Sequence, residues 1–522
     1  MTAAQKPEPG GARPSERRTA ARRQRRRAAI AAALLLVFGV GAWHQIEPLP
    51  LGVHVEGPRR IADAGQVELL FDQTYGTPSG DTVVGHLIWD RVFEMIAGAQ
   101  QLVVLDLFLF NDFAGAAGAG FRPLSDQLTE RLIAKRREVP GIQILFVTDP
   151  LNSHYGGRPS EHVERLRAAG IPVVITDLER LRDSNPIWST FWRIALQWLG
   201  NSHTGGWLPS PFDPEAEVTL RTYFSLFNFK ANHRKVVVAD HPAGGLVALV
   251  TSSNPHDASS RHSNVAAVVR GGVARDVLAS ELEVARFSGW RGRIAPPPAV
   301  LATATLETAA PETAPSKTAP EAGSTSPFAL RYLTEGAIRD ALLEQLAETR
   351  AGDRIDMAMF YLSHRGIIEG LVAAARRGVR VRLILDPNRD AFGREKDGIP
   401  NRSVAHELVT RGGDGVEVRW YRTQGEQFHT KLTVIRTDGE VVANLGSANL
   451  TRRNLADLNL EANVEITAPA GSALDRELQE VFERWWRNEE SELTDPYERW
   501  ADPSRWQAFK YRLMEATGLS TF

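Results

Sequence analysis

The sequence contains no cysteine and carries almost no net charge. The absence of cysteine excludes disulfide bonds, thiolate metal sites and a cysteine nucleophile, and it is compatible with any cellular compartment. The formal net charge of −2 at pH 7 provides no overall attraction to nucleic acid, although basic residues could still cluster locally. The charge balance therefore weakens an assignment to nucleic-acid enzymes without excluding it.

One long uncharged apolar run lies near the N-terminus, behind a basic tail. Residues 1–27 contain nine Lys or Arg, and residues 28–43 follow without a charge. A positive flank before an apolar segment favours a single-pass anchor over residues 28–46, in a bacterial-type cytoplasmic membrane with the catalytic region outside the cytoplasm. The uncharged run is shorter than the ~20 residues of a usual spanning helix. A cleaved signal peptide, which has a similar apolar length, is the alternative.

The rest of the chain has an ordinary globular composition and an internal repeat. Its 522 residues, 43% of them hydrophobic, suffice for two to three domains. Residues 294–328, rich in Pro, Ala, Thr and Ser, predict a disordered linker between residues 50–293 and 329–522. On each side of it, strand, helix and strand patterns follow one another and end at an Asp-Pro pair, Asp149-Pro150 or Asp386-Pro387. This repeat predicts an α/β fold made of two similar halves.

The first half contains extra sequence that the second half lacks. We expect an insertion over about residues 154–225, and it contains Trp188, Trp192, Trp198 and Trp207. The apolar residues recur at helical spacing, which favours a helix packed on the core. Tryptophan also favours the boundary of a lipid bilayer, so an interfacial or acyl-chain-binding element is an equally good interpretation.

Two short motifs, His233-Arg-Lys235 and His429-Thr-Lys431, begin similar hairpin patterns in the two halves. Each is followed by two apolar runs and by a turn with serine and asparagine, and Asp240 completes a His-x-Lys-x4-Asp pattern in the first half. Residues two apart on a strand lie on the same face, so each motif can present an imidazole and an ammonium to one substrate group. The serine and asparagine of the turn suit an anionic oxygen.

The paired motifs resemble the HKD signatures of the phospholipase D superfamily, and the similarity runs from about residue 67 to residue 487. The chain is similar to bacterial phospholipase D and cardiolipin synthase-like proteins. The resemblance implies a duplicated α-β-α sandwich whose pseudo-symmetric halves form one site. In that family one histidine attacks phosphorus and the other protonates the leaving oxygen, through a phosphohistidine and without a metal or other cofactor.

The physical chemistry of a phosphodiester agrees with these residue types. Its negative oxygens repel nucleophiles, so cationic lysines are needed beside them, and a neutral imidazole is available as the nucleophile near pH 7. A protonated imidazole can donate its proton to the departing alkoxide. The candidate catalytic residues are His233, Lys235, Asp240, His429, Lys431 and Glu461, and the candidate substrate-binding residues are Ser252, Asn254, Ser447 and Asn449.

Glu461 lies where the family commonly has a carboxylate that supports its histidine. The first half offers Ser263 and Asn264 at the corresponding place, without an acid. If Glu461 supports the histidine of its own half, it favours the imidazolium form of that ring. This predicts His429 as the general acid and His233 as the nucleophile.

These observations predict a membrane-anchored phosphodiesterase or phosphatidyltransferase that acts on phospholipids. The expected partners are a phospholipid substrate, the membrane, and water or a second alcohol as acceptor, with a monomeric catalytic unit and no nucleic acid. A nuclease with the same chemistry would have a basic groove and salt-sensitive binding, and it is the second hypothesis. The third is a non-catalytic lipid-binding protein.

Overall fold

The computed structural model describes residues 14–113, 120–213, 215–295, 328–391, 394–489 and 491–520. The predicted linker over 294–328 lies almost entirely outside the described residues. In chain order, the strands are β1 Arg60–Ile61, β2 Val67–Asp72, β3 Thr74–Gly76, β4 Thr82–Val84, β5 Leu102–Leu107, β6 Gln143–Thr148, β7 Val173–Ile175, β8 Leu208–Pro209, β9 Glu217–Val218, β10 Lys235–Asp240, β11 Leu246–Thr251, β12 Asn264–Arg270, β13 Ala329–Thr334, β14 Arg354–Met359, β15 Arg380–Leu385, β16 Asp390–Ala391, β17 Arg394–Glu395, β18 Val416–Tyr421, β19 Lys431–Arg436, β20 Glu440–Gly446, β21 Ala462–Pro469 and β22 Thr494–Pro496.

The helices pack mainly around the sheets that these strands form. In chain order, they are α1 Pro14–Ile46, α2 Leu87–Gly98, α3 Leu124–Glu138, α4 Glu161–Ala168, α5 Pro186–Phe191, α6 Leu220–Leu226, α7 Gly272–Phe287, α8 Glu335–Glu348, α9 Arg365–Arg376, α10 Asn401–Gly412, α11 Arg452–Leu455, α12 Ala473–Arg487 and α13 Arg505–Thr517.

Two large sheets, one for each half, repeat the same strand order. The first sheet runs β2-β12-β11-β10-β5-β6-β7, and the second contains the matching series β13-β21-β20-β19-β14-β15-β18, with β1 and β22 added at its ends. In both sheets the last three strands of the series are parallel and the others antiparallel. The predicted duplicated α/β fold is therefore confirmed.

The motif strands are buried at the centre because both of their faces are covered. Val236 and Val238 of β10 pack in the same core as Leu432 and Val434 of β19, so the inner faces of the two sheets meet. Helices α2, α3 and α4 cover the outer face of the first sheet, and α8, α9 and α10 cover that of the second. Because the two hairpins meet at the centre of four layers, the motifs can contribute to one site.

The division of the chain differs in two places from the predicted boundaries. The predicted first half, residues 50–293, contains β1, which pairs with β13 in the second sheet. The predicted insertion, about 154–225, begins too early, because α4 and β7 continue the repeat and correspond to α10 and β18. The extra sequence lies after β7, where the first half needs residues 176–232 to reach the histidine and the second needs only 422–428.

The N-terminal helix is longer than the predicted anchor. Helix α1 includes the second part of the basic tail, and its stretch Ala21–Ile46 is long and apolar enough to cross a membrane and is not buried by the rest of the protein. Its last turn contacts the insertion, where the backbone N–H of Asp183 donates to the carbonyl oxygen of His44 at 3.0 Å. Gln45 Nε2 donates to the carbonyl oxygen of Asp183 at 2.6 Å.

Candidate active site

Both catalytic motifs lie directly before a central strand and are joined to the opposite half by backbone hydrogen bonds. The N–H of Leu460 donates to the carbonyl oxygen of Ala231 at 3.0 Å, and the N–H of Ser263 donates to that of Gln427 at 3.1 Å. These contacts are related by the pseudo-two-fold relation between the halves. The backbone around each histidine is therefore fixed by the half that does not contain it.

Two aspartates at the ends of the parallel strands hold the turn before each histidine. Asp149 Oδ2 accepts from the N–H of Asn232 at 2.7 Å, and Asp386 Oδ2 accepts from the N–H of Phe428 at 2.7 Å. Burial raises the pKa of both aspartates to about 7. The Asp-Pro pairs marked the repeat in the sequence, but their role beside the histidines was not visible there.

Each histidine is held by a side chain of the opposite half, and this overturns the predicted partner of Glu461. His233 Nδ1 donates to Glu461 Oε1 at 2.7 Å, whereas His429 Nδ1 donates to Asn264 Oδ1 at 3.1 Å. The prediction assumed that a histidine and its supporting residue come from the same half. The halves instead exchange these residues, because strands β12 and β21 each begin beside the other half's motif.

The environment lowers the pKa of both imidazoles. Burial lowers the pKa of His233 to about 4, against the raising effect of the Glu461 carboxylate. Burial lowers the pKa of His429 well below its ordinary value, and Lys431 and His262 lower it further. Phe108 packs on His233 at 4.7 Å between ring centroids, and these neighbours account for the desolvation.

The two lysines lie in equivalent positions beside the histidines. Lys235 Nζ donates to the carbonyl oxygen of His233 at 2.6 Å, and Lys431 Nζ donates to that of His429 at 2.8 Å. Burial lowers the pKa of Lys235 to about 7 and that of Lys431 well below its ordinary value, the latter also through the charge of Lys235. A bound anion would favour the charged form of both lysines, which suits the site to negative oxygens.

The serines of the two turns support the histidine partners, which corrects their predicted role in substrate binding. Ser252 Oγ donates to Asn264 Oδ1 at 2.9 Å, and Ser447 Oγ donates to Glu461. Both serines are fully buried. The equivalent serine contacts show that Asn264 and Glu461 are counterparts in the two halves.

The asparagines of the same turns do reach the cavity. Asn254 and Asn449 both line it, and Asn449 Oδ1 is buried without a hydrogen-bond partner in the described part of the chain. Asn254 Oδ1 accepts from the N–H of Leu109 at 3.3 Å. The two side chains stay candidate substrate-binding groups.

Asp240, predicted among the catalytic residues, lies at the other end of β10 from the motif. Its carboxylate accepts from the backbone N–H groups of Gln100, Gln101 and Leu102 at 2.8–3.2 Å. These bonds fix the turn between α2 and β5. In the second half Arg436 occupies the corresponding position and binds Asp356 and Asp475. The site chemistry therefore does not include Asp240.

The Asp240→Ala variant is expected to destabilise the fold by about 2 to 4 kcal/mol, because it leaves three backbone donors without their charged acceptor. The measurement is chemical unfolding of the full chain in detergent. The kcat/KM of the folded fraction should stay within about twofold of the original value, and a large loss of kcat/KM in fully folded protein would return Asp240 to the catalytic group.

A cavity of about 270 Å³ lies between the two motifs and is lined by both histidines. Within the ranges that the structure describes, no group of three or more histidine, aspartate or glutamate side chains could hold a metal ion. The cavity brings together two imidazoles and two asparagines, with the two lysines buried beside the histidines. This set can bind an anionic group and exchange a proton on opposite sides of it.

Comparison with known proteins identifies the type of domain. Residues 342–486 match the family model described as "Cardiolipin synthase, PLD-like domain". This stretch is a phospholipase D-like domain. The match includes the second motif, and the duplicated fold places the first motif in the same arrangement. The matched domain indicates an enzyme, a phosphodiesterase or phosphatidyltransferase.

One solved structure has a similar fold at low sequence identity. The phosphatidylserine synthase of Haemophilus influenzae Rd KW20 is 11% identical, with a TM-score of 0.52, over 89% of this chain and 96% of that chain. Nuc from Salmonella typhimurium, a phospholipase D family member, is 20% identical with a TM-score of 0.24, over 30% of this chain and 95% of that chain. No curated protein sequence matches the chain significantly.

Proposed function

We propose that the protein is a membrane-anchored phosphatidyltransferase or phospholipase that acts on phospholipids through a phosphohistidine. The observation that carries the proposal is the crossed pair of histidines facing one cavity, each held by the opposite half. The family match supports the phospholipid class, because its description names cardiolipin synthase.

In the first step, Nε2 of His233 attacks phosphorus, forming an N–P bond while the bond from phosphorus to the headgroup oxygen breaks. His429 gives its proton to the departing oxygen. In the second step, water or an alcohol gives a proton to His429 and its oxygen attacks phosphorus, which breaks the N–P bond and returns His233 to its neutral form. The negative charge of bound substrate favours protonated His429 at the start of this cycle.

The assignment of His233 as nucleophile now has a different basis from the sequence argument. Glu461 accepts from Nδ1 of His233, which leaves Nε2 free to attack and stabilises the positive charge of the phosphorylated ring. Asn264 orients His429 without adding a charge. Mapping the covalent adduct after rapid quenching decides the roles, since an adduct on His429 would reverse them.

The exposed surface of the insertion supports action at a membrane. The large apolar side chains here are solvent-exposed, with Trp198 77% and Trp207 68% exposed, and they are Ile187, Phe191, Ile194, Trp198, Leu199 and Trp207. Helix α5 in this surface contacts the end of α1, where Gly41 packs closely against Thr190. An anchor that ends at an exposed aromatic surface would hold that surface at the lipid boundary.

Quenching of tryptophan fluorescence by brominated phospholipids can test this orientation, with the full chain reconstituted in vesicles. We expect the Trp198→Phe variant to lose part of the tryptophan quenching, because its indole lies at the bilayer surface. Trp420, which is fully buried, provides the matched Trp420→Phe control, and that variant should keep the original quenching. Equal quenching in Trp198→Phe and in the unsubstituted protein would exclude contact between this surface and lipid.

Turnover tests the proposed function directly. The full chain in detergent micelles is incubated with phosphatidylglycerol or phosphatidylethanolamine, with and without added alcohol, and in parallel with single-stranded DNA. We expect free headgroup or a transphosphatidylation product from the lipids and none from DNA. DNA cleavage without lipid turnover would replace the proposal with a nuclease.

A further inference from the structure

On both sides of the first motif's histidine, the neighbouring residue binds a buried carboxylate. Asn232 Nδ2 donates to Asp106 Oδ1 at 2.7 Å. The Arg234 guanidinium donates to Glu335 Oε1 at 2.7 and 3.1 Å and to Glu281 Oε1 at 3.2 Å. All of these side chains are fully buried, and a buried charge is stable only with such partners. These bonds therefore fix the chain around the histidine.

Two of these charged positions are neutral in the second half. Thr430 occupies the position of Arg234, and its Oγ1 donates to the carbonyl oxygen of Ser263 at 3.4 Å. Ala358 occupies the position of Asp106, because each lies one residue before the strand partner of the motif lysine. The charged network thus distinguishes the surroundings of the first histidine from those of the second.

Glu335 connects this network to the residue that supports the first histidine. Its Oε1, which accepts from Arg234, also accepts from the backbone N–H of Glu461 at 2.9 Å. Its Oε2 accepts from the N–H of His54 at 2.9 Å. Glu461 in turn accepts from Nδ1 of His233 at 2.7 Å. One carboxylate therefore binds the backbone of Glu461 and the side chain that follows His233.

The backbone of Glu335 has a conformation that residues other than glycine rarely adopt. Its φ is 45°, at the point where β13 ends and α8 begins. A bulky side chain persists at such an angle only where its surroundings fix it, and such positions cluster at functional sites. The hydrogen bonds of the buried carboxylate fix Glu335 in this way.

The counterpart of Glu335 in the first half has a different role. Asp72 pairs with Asn264, and Glu335 lies one position past the pair of Thr334 and Ala462, so the two acids are equivalent in strand register. Asp72 Oδ1 accepts from an N–H in the first turn of α2 at 3.2 Å. It therefore binds a helix of its own half, whereas Glu335 binds the motif of the opposite half.

We propose that Glu335 is a positioning residue, whose carboxylate holds Glu461 against His233 so that the phosphohistidine forms on a correctly oriented ring. This inference rests on the proposed function and adds a residue to it. Glu335 does not line the cavity, and it acts through Glu461 and Arg234. Since a displacement of about 1 Å at a reacting group can slow a reaction about a hundredfold, this hold matters for the rate.

Glu335→Gln tests the proposal with the full chain in detergent micelles. An amide has one acceptor oxygen, so it cannot accept from both Glu461 and His54, and it removes the charge opposite Arg234. We expect phosphohistidine formation to slow about tenfold to a hundredfold, while the KM for phospholipid changes by less than about twofold. Glu335→Asp keeps the charge but is one carbon shorter, so it should be equally slow and more stable to denaturant.

A double-variant cycle separates positioning from general stabilisation. If Glu335 acts through Glu461, adding Glu335→Gln to Glu461→Gln should cause little further loss of rate, whereas losses that multiply would overturn the proposal. Glu465 provides the matched control, because it lies on β21, is buried and accepts from Arg331 at 2.8 and 3.0 Å. Glu465→Gln should be less stable to denaturant but keep the rate within about twofold.

Chemical modification of His233 separates this inference from the proposed function, because it requires no lipid turnover. The rate of reaction with diethyl pyrocarbonate is followed against pH and mapped by peptide mass spectrometry. Glu461 raises the pKa of His233, so a displaced Glu461 should move the midpoint for His233 to lower pH in Glu335→Gln, and the midpoint in Glu465→Gln should not move. This shift without any lipid turnover would support positioning and remove only the proposed function. An unchanged midpoint in Glu335→Gln would overturn the positioning role.

Discussion

His233→Ala and His429→Ala are each expected to lower the turnover of phospholipid by about 10⁴-fold or more, because one change removes the nucleophile and the other the proton donor. Both imidazoles face one cavity, so neither half can complete a cycle alone. The measurement is release of labelled headgroup by the full chain in detergent micelles. His241, half-exposed in the turn after β10, provides the control His241→Ala, which should keep full activity.

The double variant extends this prediction to the coupling of the two halves. If the histidines act on one phosphorus atom, the loss in the double variant should be close to the loss in either single variant and far below the product of the two. Substantial activity in either single variant would show that the halves work independently. That outcome would contradict the shared site, although not the duplicated fold.

The Glu461→Gln variant is expected to lower kcat by about 10² to 10⁴-fold while the protein stays folded, as the loss of a carboxylate that orients a catalytic imidazole does elsewhere. The amide keeps the size of the side chain and can still accept from His233 Nδ1. It cannot stabilise the positive charge of the phosphorylated ring. Rapid-quench measurements should therefore show slower formation of the phosphohistidine.

The pH dependence of kcat/KM shows in which direction a neighbouring carboxylate shifts the pKa of each histidine. Glu461 raises the pKa of His233, so its neutralisation lowers that pKa, and the acid limb of the profile should move to lower pH. Asn264→Asp places a carboxylate at the equivalent position beside His429 and should move the alkaline limb to higher pH. A shift of the acid limb in Asn264→Asp with none in Glu461→Gln would exchange the two roles.

The sequence was sufficient to predict the duplication, because each element of the repeat is encoded by neighbouring residues. Strand, helix and Asp-Pro patterns can be read from short windows, and the strand order of the two sheets confirmed them. The start of the insertion was predicted too early because α4 and β7 are short and polar on one side. Their pattern was therefore assigned to the extra sequence and not to the repeat. The exact end of a repeat depends on strand pairing, which a single sequence does not display.

The roles of individual site residues were harder to predict. Asp240 looked catalytic because it is close to the motif in sequence, but about five residues of extended strand carry it to the other end of the sheet. The serines looked like substrate ligands, although their hydroxyls are used by Asn264 and Glu461. Residues without a motif, such as Lys396 and Arg453, gave no signal until the fold brought them to the cavity.

The sequence alone determined the two halves, the histidine and lysine pairs and the apolar N-terminal segment, since each is encoded by neighbouring residues. Tertiary structure decided which side chain supports which histidine. Glu461 lies 32 positions after His429 but bonds to His233, which is 228 positions away, because the two sheets pack face to face and present their strand ends to each other. Such a contact depends on the packing of two separate sheets, and no local pattern in the chain specifies it.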